Sequence, residues 1–183
     1  TSSLYSITGT LEVPETEAFL MSAGMIVCAM VEQNGDRAID SGIGQSDLFL
    51  CMTNERDARP WKVFKFLRKA YRVAKWSPET NFIALVLATR IQHEGLCILW
   101  SNWNKLLFTA LLVAQKMWDD VPLTNTDFPR LWTICAPEAD EFALKELNKM
   151  EMEFLRILNW QTHVTREVYT QFYFELRALA MEN

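Results

Sequence analysis

Trp103–Asp120, WNKLLFTALLVAQKMWDD, decides how the rest of the chain is read. Leu106, Leu107, Ala110, Val113, Ala114 and Met117 fall at helical spacing, and Phe108, Leu111 and Leu112 fill much of the remaining circumference. A helix apolar on nearly every face is one surrounded by other helices. The pattern holds until Lys116 interrupts it, so Lys116 is the charge that needs a partner.

The flanking segments supply the surrounding helices. Pro14, Glu15 and Glu17 make an acidic start for a helix running to about Gln33, with Phe19, Met21, Met25, Ile26, Ala29 and Met30 on one face. Asn34-Gly35 is its stop signal, Arg37–Gln45 reads as loop, and Thr1–Thr10 as an extended arm. Pro60–Trp76 buries Val63, Phe66, Leu67, Ala70, Tyr71 and Ala74. Ser77-Pro78-Glu79 joins an N-cap, a proline in the first helical position and an acid in the first turn, and starts a helix to about His93. Pro122 breaks the connector Val121–Asn125, and Thr126 or Asp127 caps a short helix through about Ile134. Ala136-Pro137-Glu138 starts a helix to about Leu158 that buries Phe142, Leu147, Met150, Phe154, Leu155 and Leu158. Thr165 caps a last helix carrying Val168, Tyr169, Phe172, Tyr173, Leu176 and Leu179. No segment shows sustained strand alternation. The expected fold is all-α: a five-helix core at 60–160, an arm, extra helix and loop at 1–59, and a C-terminal helix at 161–183.

Half of the 183 residues are hydrophobic, enough for one domain with a substantial core. A net charge of -5 provides no broad basic field and argues against nucleic acid as a partner. One face of the Pro60–Trp76 helix is nonetheless basic, through Lys62, Lys65, Lys69, Arg72 and Lys75. It reads either as a solvated face or as a docking stripe for an acidic or phosphorylated partner. Cys28, Cys51, Cys97 and Cys135 are widely spaced without a CxxC pair, which suits a reduced intracellular protein with buried thiols, cytoplasmic or nuclear. His93 reads as a helix-end cation, and His163 lies far from it, so no metal ligand set is expected. The SGIGQS segment, Ser41–Ser46, has no following lysine and no strand before it, so it is no phosphate loop. With no nucleophile–base pair either, the chain reads as a non-enzyme without cofactor or small-molecule substrate. Its apolar runs fall short of the roughly 20 residues of a membrane span. It opens on Thr1 rather than methionine and reads as a cut piece, leaving an upstream lipid signal for membrane association open.

LLVAQKMWDD (Leu111–Asp120) and MEMEFLRILNW (Met150–Trp160), following SPETNFIALVLATRI (Ser77–Ile91), resemble the cyclin box. There the third helix ends in a LLASK-like motif and the fifth carries ME-x-x-x-L. The W-N-K opening at Trp103, the K-x-W-D-D ending at Lys116–Asp120 and the tail VYTQFYFELRALA (Val168–Ala180) are most similar to Y-type cyclins, with phosphate-pathway cyclins second. Glu17–Glu32 corresponds to an extra helix those cyclins have before the box. The resemblance implies a cyclin fold with its box at 60–160. It also implies a regulatory subunit that binds and activates a cyclin-dependent protein kinase, PCTAIRE-like or related, by holding its C-helix in the active position. A cyclin-fold binding module gripping nucleic acid or an acidic partner on the Lys62–Lys75 stripe is the alternative.

Carried over position by position, Lys116 and Glu151 match the charged pair that cyclins place against their kinase. Val113, Met117 and Leu155 match the apolar contact around it, and Trp160 and Thr162 the contact beyond the fifth helix. Read without the family, the pair is better explained as a bridge pinning two helices, and the apolar residues serve as well as ordinary core; the resemblance reverses the reading of the pair. Arg59-Pro60-Trp61-Lys62-Val63 departs from the MRAIL-like substrate-docking patch of mitotic cyclins, and no second five-helix repeat follows Leu158.

Overall fold

The computed structural model describes residues 13–41, 47–50 and 59–182. The arm Thr1–Thr10, residues 42–46 of the SGIGQS segment and Cys51 lie outside them. The fold is all-α, with no strand among the described residues. Its helices are α1 (Val13–Ser41), α2 (Pro60–Ala74), α3 (Pro78–His93), α4 (Trp103–Trp118), α5 (Phe128–Cys135), α6 (Leu144–Ile157) and α7 (Arg166–Glu182), with a short 3-10 turn at Asp47–Phe49. Helices α2–α6 form the expected five-helix core, and α1 and α7 flank it.

Helix α4 is the centre. Every residue from Trp103 to Gln115 is buried, with α3 along one side and α6 along another. Phe108 at its middle meets the rings of Phe128 at 5.2 Å, Trp132 at 5.1 Å, Phe142 at 5.9 Å and Phe66 at 6.1 Å, mostly edge to face. This geometry is favoured by the ring quadrupoles, and it draws α2, α5 and the approach to α6 onto one helix. Helix α1 packs along α2 and also against α7. Their crossing requires Gly24, because a Cβ there would lie 2.6 Å from the carbonyl oxygen of Pro60.

Two boundaries differ from the sequence reading. Helix α1 runs through Asn34-Gly35 to Ser41, although that dipeptide signals a stop and Arg37–Gln45 was expected to be loop. Asn34 is buried, and its amide donates to Gln92 Oε1 and to the Ile98 carbonyl, both at 3.0 Å. With those donors committed to distant partners, the side chain no longer competes for its own backbone, and the helix continues. Helix α6 starts at Leu144 rather than at Ala136. Phe142 is anchored in the ring cluster, and Trp132 Nε1 donates to the Asp140 carbonyl at 2.9 Å, the acceptor a continuous helix would need for the amide of Leu144.

The cap of α3 is also built differently. Ser77 holds the N-cap position, but its hydroxyl donates to Asp119 Oδ1 at 2.6 Å, lies 3.1 Å from the Thr80 hydroxyl and makes no bond to a backbone amide of its own helix. The Ser77 amide at 3.2 Å and the Thr80 hydroxyl at 3.1 Å converge on the same oxygen, so the end of α4 caps the start of α3. At α7 the expectation holds: Thr165 Oγ1 accepts the Val168 amide at 3.4 Å. Cys28 and Cys135 are buried and Cys97 half-buried, none of the three in a disulfide. Burial pushes the Cys135 thiol up to about 12, against a smaller opposing pull from Lys69.

Candidate functional site

Helix α4 leaves the core at its last turn, and Lys116 is where it does so. Lys116 Nζ donates to Glu151 Oε1 of α6 at 2.6 Å, with 33% of the lysine side chain and 14% of the glutamate side chain exposed. The second carboxylate oxygen is occupied as well: Asn125 Nδ2 donates to Glu151 Oε2 and to Asn148 Oδ1, each at 2.7 Å. Asn125 is itself placed by the connector leaving α4. Gln115, fully buried, accepts the Leu123 amide on Oε1 at 2.7 Å and donates Nε2 to the Leu123 carbonyl at 3.0 Å. Asp127 Oδ2 accepts the Thr124 hydroxyl at 2.7 Å and its amide at 3.0 Å, and these bonds hold the carboxyl below its usual range. A buried glutamine, a clamped loop and an asparagine thus fix the geometry of an ion pair at the surface.

Exposed apolar side chains lie on the same helices and just beyond α6. Met117 is 52% exposed and Trp160 60%, with Trp118 and Met152 also exposed and Leu155 half-buried. Asn159 and Trp160 both take left-handed backbone, with φ of 51° and 62°. Asparagine tolerates that region, whereas for tryptophan it is strained and must be held by its surroundings. The holding groups are present: Arg90 Nη1 donates to the carbonyls of Gln161 at 3.1 Å and His163 at 2.8 Å, and Thr162 Oγ1 approaches Met117 Sδ at 3.5 Å.

The structure therefore links Lys116, Glu151, Met117, Trp160 and Thr162, with Leu155 on the same helix as Glu151. Met117, assigned by periodicity to the buried face of α4, points outward. Val113 goes the other way: at 3% exposure it belongs to the core, because one turn before Lys116 the helix is still enclosed. A surface contact through Val113 is thereby removed from the candidate face.

Sequence reading missed three contributors, Gln115, Asn125 and Lys105. Lys105, not Lys116, is the enclosed charge of α4: its side chain is 9% exposed, and Nζ donates to Glu146 Oε1 at 3.1 Å and sits 5.9 Å from the Phe142 ring centroid. The signal was present as the first lysine of the quoted run, but its partner is 41 positions away.

The fold also divides the basic stripe. Arg72, with Arg68, is committed to Glu17 Oε1 at 2.6 and 2.8 Å, tying α2 to α1. The Arg68 hydrogen bond is the main cause that holds the Glu17 carboxyl below its ordinary value. Lys75 ends α2 in left-handed backbone, while Lys62, Lys65 and Lys69 line a cavity beside α5. Among the described residues no group of three or more His, Cys, Asp or Glu is placed to hold a metal ion, and no helix is long and apolar enough to cross a membrane. Compared with known families, residues 47–163 match the model described as Cyclin, N-terminal domain.

Proposed function

The chain belongs to the cyclin family, and from that premise we propose that it is the regulatory subunit of a cyclin-dependent protein kinase, docking through the face centred on Lys116 and Glu151. A kinase is silent while its C-helix glutamate is displaced from the ATP-positioning lysine, and a surface that binds only the inward helix shifts that equilibrium. A differential affinity of about 4 kcal/mol changes the ratio roughly a thousandfold.

The observation that carries this reading is the ion pair held by Asn125 at the surface, next along α4 to exposed Met117. Glu151 uses one of the three lysine donors, leaving others for kinase backbone carbonyls. Because the face is fixed before the partner arrives, little conformational freedom is lost on docking. Residues 60–160 act as the box, with 1–59 and 161–183 as flanking pieces. The W-N-K opening, K-x-W-D-D ending and C-terminal tail support the Y-type branch and a PCTAIRE-like kinase. The chain then supplies no catalytic group of its own. A nucleic-acid module on the Lys62–Lys75 stripe has less support, since Arg72 is committed to Glu17 and the chain is acidic.

Co-expression with a PCTAIRE-like kinase tests the proposal through capture and kinase activity, comparing wild type with Lys116→Ala and Glu151→Ala. Both variants should remain folded and lose about tenfold or more in capture, in line with breaking a desolvated charge contact. Wild-type capture in both variants would refute the site, and a wild-type chain that neither binds nor activates the kinase would refute the reading.

A further inference from the structure

Of the six prolines in the chain, only Pro78 follows a serine or threonine. That serine, Ser77, ends the connector between α2 and α3, and its hydroxyl is held by Asp119 at the end of α4. We propose that Ser77 is a phosphorylation site for a proline-directed protein kinase, and that its phosphate releases the last turn of α4 from the start of α3. The site and its test stand apart from the docking face. Only an effect on kinase capture, through Lys116 in that same last turn, rests on the function proposed above.

The backbone suits the modification. Ser77 is extended, with φ of -62° and ψ of 147°, the conformation a following proline favours, so the hydroxyl belongs to an extended residue outside the helix. Ser77 and Pro78 are half-buried and Lys75 before them is exposed, so the hydroxyl is reached once its bond to Asp119 opens. In the transfer, Ser77 Oγ attacks the γ-phosphorus of ATP and its proton passes to the base of the modifying kinase. ADP leaves with the electrons of the broken P–O bond.

A phosphorylated Ser77 cannot keep its present contact. Oγ lies 2.6 Å from Asp119 Oδ1 because it donates a proton there, and the ester oxygen of phosphoserine carries none. Almost two negative charges then stand beside a carboxylate, with Glu79 in the first turn of α3 as a further one. The start of α3 tolerates them, because no side chain caps it and its backbone amides form the positive end of the helix dipole. Thr80 keeps an acceptor as well, since its hydroxyl already lies 3.1 Å from Ser77 Oγ, within reach of phosphate oxygens. Asp119 alone is left facing a like charge, so the contact that gives way is the one to α4.

The test incubates the folded chain with ATP and a purified mitogen-activated protein kinase, a proline-directed enzyme, and locates the phosphate by mass spectrometry. Phosphate should appear on Ser77 in wild type, be missing from Ser77→Ala, and form roughly tenfold faster in Asp119→Ala, whose serine hydroxyl is released. Hydrogen exchange then compares the chain before and after modification. Amides of residues 116–119 should exchange about tenfold faster in the phosphorylated chain, with those of α3 unchanged. Asp119→Asn keeps an oxygen there without the charge and should show less than half of that acceleration. Circular dichroism establishes that each variant is folded. Absence of phosphate on Ser77, equal rates for wild type and Asp119→Ala, unchanged exchange at 116–119, or full acceleration in Asp119→Asn would each overturn the proposal.

Discussion

Replacing Asp119 with alanine measures the contact by which one helix end caps another. Asp119 Oδ1 receives the Ser77 hydroxyl, the Ser77 amide and the Thr80 hydroxyl at 2.6, 3.2 and 3.1 Å. Loss of a side-chain cap costs about 1 kcal/mol, and a buried hydroxyl left without its acceptor adds about 1–2 kcal/mol. Thr80 is fully buried, so that hydroxyl cannot turn to water, but it keeps the Ser77 hydroxyl at 3.1 Å as an alternative partner. The low end of the sum, about 2 kcal/mol, is therefore expected. In a chain of this length that lowers Tm by about 4–8 °C. Urea denaturation followed by circular dichroism should show the midpoint falling with the slope unchanged. Asp119→Asn retains Oδ1 and should lose less than half as much. The reasoning is refuted if Asp119→Ala stays within about 0.5 kcal/mol of wild type, the range of a neutral surface change, or if asparagine is as damaging as alanine.

Asn125→Ala frees one oxygen of Glu151 without touching the lysine, and a loss of about 1 kcal/mol should weaken kinase capture about fivefold; capture equal to wild type would deny Asn125 its positioning role. Gly24→Ala drives a Cβ to 2.6 Å from a backbone oxygen that cannot yield, at a cost of about 1–3 kcal/mol, and limited proteolysis should then open α1 first. For Glu17 the pH sign is fixed by its depressed carboxyl. The stability it contributes is present above its ordinary value of 4.5 and is lost as pH falls through the lower folded value. The Tm advantage of wild type over Glu17→Gln should accordingly shrink on acidification, and an advantage that persists in strong acid would assign it to something other than the ion pair.

The apolar circumference of α4, the Ser77-Pro78-Glu79 start of α3 and the Thr165 cap of α7 were legible because each depends on residues within a turn or two of one another. So was the order of helices, and so were the motifs that carry the cyclin resemblance. Local signals misled at Asn34-Gly35 and at 136–143. In the first case Gln92 and Ile98 take up the asparagine, and in the second Trp132 and the ring cluster hold the connector extended. Which face of α4 is enclosed was decided the same way, placing Val113 inside and Met117 outside.

By itself the sequence determined an all-α chain, its central helix and the pair Lys116 and Glu151 as the charges to examine. Only the tertiary structure decided that Lys105 is the enclosed lysine, that Asn125 holds Glu151, and that two left-handed residues present Trp160 at the surface. The physical reason is range. Helix propensity and amphipathic period are set by neighbours three or four positions apart, whereas the satisfaction of a buried charge and the placing of a strained residue depend on groups the chain brings together from tens of positions away.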